Sequence, residues 1–322
     1  MMTISSKTTQ WGAQLMLLAV AMVWGSSYGV SKSALLWYPV LGFLALRFLI
    51  TFVVLLPYFL RYSAADRVQS YKMGAPLGIL IAAIFLCETY GVCQTSASNA
   101  AFLICLCLPF TPVFEWLLLG KPITAQAACC LALAVLGAAL LSGFHGQIAA
   151  LNWGDLLIVA AALLRAIVVT LTRKLAQTNP APALGLTIVQ VGIAGCIMLV
   201  LAYTTIPIKQ LNLPHSPSFW VNLIYLVLLC TIFAFFAQNW AASRLPPTRV
   251  AALMGLEPLF GALYGVLALG ETMSTSAIMG AGLMLCAVFG LSGVGNELMR
   301  GVWQSRQNPL RSMAASREAG SQ

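Results

Sequence analysis

The sequence predicts an all-α membrane protein of ten transmembrane helices arranged as a five-plus-five inverted repeat. Three observations carry that prediction: an apolar composition with few charges, ten apolar runs of spanning length, and an ordered self-similarity between the two halves. Of 322 residues, 60% are hydrophobic and 8% are charged, against about 45–50% and 25% in soluble domains. Eight acidic residues cannot solvate the surface that a globular domain of this length presents to water. Lipid must therefore cover most of the outside. The net charge of +9 comes from Lys and Arg scattered singly between apolar runs, so it marks topology rather than a nucleic-acid partner.

A helix needs about 20 apolar residues to cross the hydrocarbon core. The first run, 11–30, follows Lys7 and continues past Ala19-Val20-Ala21, so it reads as a helix and not as a cleaved signal peptide. The second, 36–59, begins around Trp37-Tyr38-Pro39, and the polar stretch from Arg61 to Lys72 separates it from the third, 73–94. The fourth and fifth, 99–119 and 123–143, are divided by Gly120-Lys121-Pro122 and closed by Gly143-Phe144-His145-Gly146. The second set runs 153–174, 183–204, 218–242, 248–270 and 274–295, with breaks at Asn179-Pro180, Pro207 to Pro217, and Pro246-Pro247. The resulting divisions are a cytoplasmic segment 1–10, a first repeat 11–145, a second repeat 146–295 and a disordered basic tail 296–322.

Basic residues orient the helices. Lys7, Arg61, Arg67, Lys72, Lys121, Arg173, Lys174, Arg244, Arg249, Arg300, Arg306, Arg311 and Arg317 fall on one side, and Lys32 and Lys209 on the other. Thirteen against two places both termini in the cytoplasm and predicts a multi-pass protein of the cytoplasmic membrane. A shift of 150 residues lays Ala101 on Ala251, Leu103 on Leu253, Phe110 on Phe260, Leu119-Gly120 on Leu269-Gly270 and Leu141-Ser142-Gly143 on Leu291-Ser292-Gly293. Near the start of each half the shift is 141, with Gly25 on Ala166 and Lys32 on Arg173. Five spans per half is an odd number, so the second half enters from the opposite side and the repeats are inverted, with a site expected at their midplane seam.

Charges inside spans are costly and face a cavity or one another. Four qualify: Arg47, Glu88, Arg165 and Glu257. Structural pairing among them and contact with a ligand are both open, and Arg47, toward the outer half of its span, has room to snorkel outward. The 150-residue shift maps Glu88 onto Gln238, which makes that pair candidate walls of one cavity. A carboxyl taken out of water binds protons more readily, so Glu88 and Glu257 are also the candidates for proton coupling. On the first span Trp24, Ser27, Tyr28 and Ser31 share a helix face. Such a face either packs or offers aromatic and hydroxyl groups to an organic ligand. Arg165 has the planar fork that grips a carboxylate, and Glu257 the charge that answers an ammonium. Gly25 with Gly29, and Gly261 with Gly265, read as close helix crossings. Asp155, Glu115 and Glu271 lie near span ends, where solvation is sufficient. The nine cysteines sit in apolar runs without zinc-type spacing and read as packing residues.

No catalytic motif occurs: there is no His-Glu-x-x-His, no Gly-x-Ser-x-Gly and no phosphate loop around Gly120-Lys121. His145 and His215 fall in loops. Neither an enzyme activity, a metal nor a cofactor is expected. Trp24-Gly25-Ser26-Ser27, Leu46-Arg47-Phe48, Thr95-Ser96-Ala97-Ser98-Asn99-Ala100-Ala101, Leu256-Glu257-Pro258-Leu259-Phe260 and Leu269-Gly270-Glu271 follow one another across residues 11–295. In that order they resemble the EamA-like family of the drug/metabolite transporter superfamily. The resemblance implies a secondary transporter for small organic metabolites, often an exporter of amino acids or related compounds. Efflux of drugs or toxic compounds is one alternative, and a channel or scaffold is the alternative from another class. The first half departs from the family pattern at Leu119-Gly120-Lys121, where an acid matching Glu271 is usual, so a paired role for those two positions is in doubt.

Overall fold

Apolar segments surrounded by lipid must close their own backbone hydrogen bonds, and in this computed structural model they do so as helices. The structure describes residues 4–95, 97–142, 152–269 and 274–292, and every regular element among them is helical. In chain order the α-helices are α1 (Ile4–Leu35), α2 (Val40–Leu60), α3 (Ala64–Gln94), α4 (Ala97–Ile104), α5 (Cys107–Leu119), α6 (Ala125–Ser142), α7 (Trp153–Thr178), α8 (Ala183–Thr205), α9 (Pro217–Val227), α10 (Ala234–Ala242), α11 (Pro247–Met254), α12 (Glu257–Leu269) and α13 (Thr275–Ser292), with one 3-10 turn, Ile208–Leu211, after α8. A π-helical segment, Leu228–Phe233, joins α9 to α10 without a break. The expected tail 296–322, His145 and Glu271 lie outside the described residues.

Among the described residues, seven helices are long and apolar enough to cross a membrane: α1 from Thr9, α2, α3, Phe102–Leu119, α7, α8 and Pro217–Ala242. The expected spans 123–143 and 274–295 are the shorter apolar helices Ala125–Leu141 and Thr275–Leu291. Leu15, Val53, Val200, Val221 and Leu267 are exposed on five different helices, as a lipid-facing surface requires.

Three boundaries differ from the sequence reading. The polar stretch Arg61 to Lys72 is mostly helix: Ser63 caps α3 by accepting a hydrogen bond from the Asp66 amide. Its 31 residues span about 46 Å, against a hydrocarbon core of about 30 Å, so its first turns project beyond the apolar layer. The expected spans 99–119 and 248–270 are each broken in two, at Cys105-Leu106 and at Gly255-Leu256. Proline is the cause in both. Pro109 and Pro258 have no N–H to offer the carbonyls of Cys105 and Met254, so the chain tightens locally. Leu106 N–H bonds to Leu103 O at 3.1 Å, and Leu256 N–H to Leu253 O at 3.4 Å. The breaks are 150 residues apart and meet, with Cys105 Sγ 3.8 Å from the carbonyl of Gly255.

Glycine sets the closest crossings. A Cβ on Gly25 would lie 2.6 Å from the carbonyl oxygen of Glu257 and 2.7 Å from the amide of Gly261, so α1 crosses α12 backbone to backbone. Gly29 has open space beside it, so only half of the expected glycine pair on α1 is used. The same chemistry joins α6 to α13, where a Cβ on Gly137 would meet the carbonyl of Gly280 at 2.7 Å. Asp155, expected to be solvated, is 2% exposed. It completes a capping box with Asn152 at the start of α7 and accepts a hydrogen bond from the Thr95 hydroxyl. All nine cysteines are free, with Cys105, Cys107, Cys130 and Cys230 buried and Cys93, Cys129, Cys196 and Cys286 exposed.

Candidate functional site

Arg165 lies midway along α7 with one carboxylate on each side. Its Nη1 is 3.0 Å from Glu257 Oε2 and its Nη2 is 3.4 Å from Glu88 Oε2. The break in the ninth expected span makes Glu257 the first residue of α12, where a helix N-terminus favours negative charge. The Gly25–Gly261 crossing brings α1 onto that same turn. As a result the Trp24 ring sits beneath the Arg165 guanidinium, 4.9 Å from it.

Two cavities lie on either side of this group, and Arg165 and Glu257 line both. The larger, about 510 Å³ with its open mouth, runs from Trp24 past Ser27 and Ser31 to Leu35, Phe43 and Val92. Those last residues stand at the C-terminal end of α1, the N-terminal end of α2 and the C-terminal end of α3, so the cavity reaches that face. The smaller, about 360 Å³, is lined by Cys105, Thr111, Val169, Ala251 and Met254 around the two helix breaks. Thr111 and Val169 lie a turn further toward the opposite face. The Arg165–Glu257 pair therefore forms the wall between them.

A second guanidinium lines the larger cavity. Arg47 is 4% exposed and does not snorkel, which corrects the sequence expectation. Its Nε donates to Thr231 Oγ1 at 2.8 Å and its Nη2 to the Cys230 carbonyl at 3.3 Å, both in the π-helical segment. Trp24 Nε1 donates to the same carbonyl at 3.0 Å. A π turn widens the helix and redirects its carbonyls, and such turns occur often at functional sites. Rings of Phe85 and Phe48 flank the guanidinium at 5.0 and 5.9 Å.

Of the residues singled out from sequence, Trp24, Ser27, Glu88, Arg165 and Glu257 line one cavity, together with Ser31. The side chain of Tyr28 lies outside the described residues. Gln238, on α10, is buried but lines neither cavity, although its shift-mate Glu88 does. Phe43 and Phe85 also line the larger cavity and carry no sequence signal beyond being apolar. Glu115 departs from the expectation that it is solvated. Glu115 is 7% exposed and accepts bonds from the Thr248 amide at 3.1 Å and its hydroxyl at 2.5 Å, capping α11 from α5.

Residues 11–143 and 152–293 each match the EamA-like transporter family. The chain belongs to that family. A protein of Archaeoglobus fulgidus named as an uncharacterized transporter is 27% identical over 289 residues, 86% of this chain and 84% of its own length. A Salmonella typhimurium protein named as a probable amino-acid metabolite efflux pump is 25% identical over 281 residues, 84% of this chain and 92% of its own. A crystal structure of another protein superposes with a TM-score of 0.69 at 15% identity, covering 89% of this chain and 98% of its own, which shows a shared fold. As a member of the EamA-like transporter family, this is a multi-pass membrane protein whose character fits a small-molecule substrate.

Proposed function

We propose that this EamA-like protein is a secondary carrier that exports amino acids or related small metabolites across the cytoplasmic membrane by alternating access. The observation that carries the reading is the ion-paired wall: Arg165 and Glu257 line a cavity on each side and separate them. A channel needs a continuous path, whereas a carrier needs a site reached from one face at a time. The Salmonella relative, named as a probable amino-acid metabolite efflux pump, favours amino-acid metabolites among possible cargoes.

In this reading the chain crosses the membrane ten times, with both termini cytoplasmic and the repeats 11–145 and 146–295 inverted. Support comes from reciprocal contacts. Gly290 packs on Cys130 and Gly280 on Leu140, and each residue of one contact is 150 positions from a residue of the other. The two proline breaks, also 150 apart, touch each other. Both features are those of a two-fold axis passing between the halves.

Trp24, Ser27, Tyr28, Glu88, Arg165, Gln238 and Glu257 are the proposed substrate-contacting set, the first three on the α1 face and Gln238 serving when the opposite face opens. Glu88 and Glu257 are also the proposed proton-coupling groups. Protonating either one weakens its pull on Arg165, which ties proton binding to parting of the wall. Unaltered pH dependence of transport in both Glu88→Gln and Glu257→Gln would reject the coupling. The carrier reading itself is tested by counterflow in proteoliposomes with a panel of labelled amino acids. Saturable counterflow of a panel member supports it, and its absence across the panel rejects it.

A further inference from the structure

Resting on the reading above, we infer that Arg47 is the anion-binding residue of the larger cavity and that it receives the carboxylate of the cargo. Arg165 is the less suited of the two arginines, since Glu88 and Glu257 already face it at 3.4 and 3.0 Å. Arg47 takes part in no ion pair among the described residues, and both its hydrogen bonds go to neutral oxygens. A guanidinium carries five N–H donors. Two are used, which leaves three on a side chain that is 4% exposed and lines the cavity. Removing such a charge from water is costly unless an anion meets it.

The groups that touch Arg47 hold it in place without a counter-charge in contact; Glu88, on the same wall, attracts it through space but is in contact with Arg165. The Thr231 hydroxyl donates its own proton to the Leu226 carbonyl at 2.8 Å, so its oxygen is left to accept from Arg47 Nε. The Cys230 carbonyl accepts from both Arg47 and Trp24, which occupies its two lone pairs. Phe85 and Phe48 stabilise the cation through their ring faces but offer it no counter-charge. The result is a positioned fork with free donors, the geometry that binds a carboxylate through two parallel hydrogen bonds. Trp24, Phe43 and Phe85 line the same cavity and receive the apolar body. Glu88, on the same wall, supplies the charge for an ammonium. The chemical class so defined is a small monocarboxylate with an apolar side group, and a zwitterionic amino acid is its fullest member.

The test is equilibrium binding to the purified full-length protein of four related probes: L-phenylalanine, L-phenylalaninamide, 3-phenylpropanoate and 2-phenylethylamine. In the wild type each carboxylate binds at least about tenfold tighter than its counterpart without one. Arg47→Gln removes that advantage and leaves binding of the two amines unchanged. Should Arg47→Gln fail to fold, Arg47→Lys decides, because it keeps the charge but loses the fork and lowers the advantage by at least about threefold. An acid-to-amide ratio near one in the wild type, a wild-type ratio retained in either variant, or no binding of either carboxylate overturns the assignment. Counterflow is read separately. Binding discrimination without counterflow keeps Arg47 as the anion site and rejects the carrier, and counterflow without discrimination does the reverse.

Discussion

Arg165 and Arg47 line the same cavity, yet Arg165 meets two carboxylates while Arg47 meets a hydroxyl and a carbonyl. Both are polar groups in an apolar bundle and both are anchored. The difference is in what remains after anchoring. At Arg165 one guanidinium meets two carboxylates across α3, α7 and α12, which leaves a negative charge in excess, and the product is a closed wall that links distant helices. At Arg47 the dipoles of one π turn orient the group, and no carboxylate among the described residues is in ion-pair contact with it. One arrangement stabilises a boundary, and the other keeps a site ready for an anion.

Four substitutions break or sharpen this contrast. Glu257→Gln has the largest effect, because it removes the closer of two carboxylates from a buried arginine; Glu88 still faces Arg165, so the cost lies toward the lower end of the about 3–5 kcal/mol of a broken buried pair. Thermal unfolding in detergent measures it. Adding Arg165→Gln should cost less in this background than it does alone, and strict additivity of the two changes would mean that the pair is not coupled. Gly25→Ala comes next, toward the upper end of the about 1–3 kcal/mol typical of overpacking. Its new methyl would stand 2.6 Å from the Glu257 carbonyl, so it pushes α12 away from Arg165 while sparing Arg47. Thr231→Val removes the acceptor for Arg47 Nε and should cost about 1–2 kcal/mol. It should also weaken carboxylate binding while leaving the response to Glu257→Gln unaltered. Trp24→Phe has the smallest effect on stability, about 1 kcal/mol, from the lost indole hydrogen bond to Cys230. Equal destabilisation by Thr231→Val and Glu257→Gln would erase the distinction between the two arginines.

Much of this architecture is legible in the chain. Charges are so rare that four intramembrane ones stand out, and three of them, Glu88, Arg165 and Glu257, form one cluster. The fourth was misjudged. Position along a span says how far Arg47 is from water, but its direction is set by Thr231 and Cys230, more than 180 residues away in sequence. The helix breaks had a local signal in Pro109 and Pro258, obscured because the apolar runs continue through them. Glu115 had none, since its partner Thr248 is brought close only by the packing of α5 against α11. Gln238 shows the limit of a repeat argument: positions equivalent in sequence do not have equivalent surroundings, since Glu88 lines the larger cavity and Gln238 lines neither of the two.

The paired proline breaks also confer leverage. Each leaves a thirteen-residue arm, α5 or α12, about 20 Å long, so that a tilt of about 10° at the break sweeps its far end through about 3 Å. That is roughly the width of a water molecule. Glu257 sits at the root of one arm, where the same tilt scarcely moves it, and Glu115 lies two turns out along the other, where the displacement is already appreciable. Small rotations about two touching pivots can thus widen the periphery of the bundle while its charged centre stays nearly still.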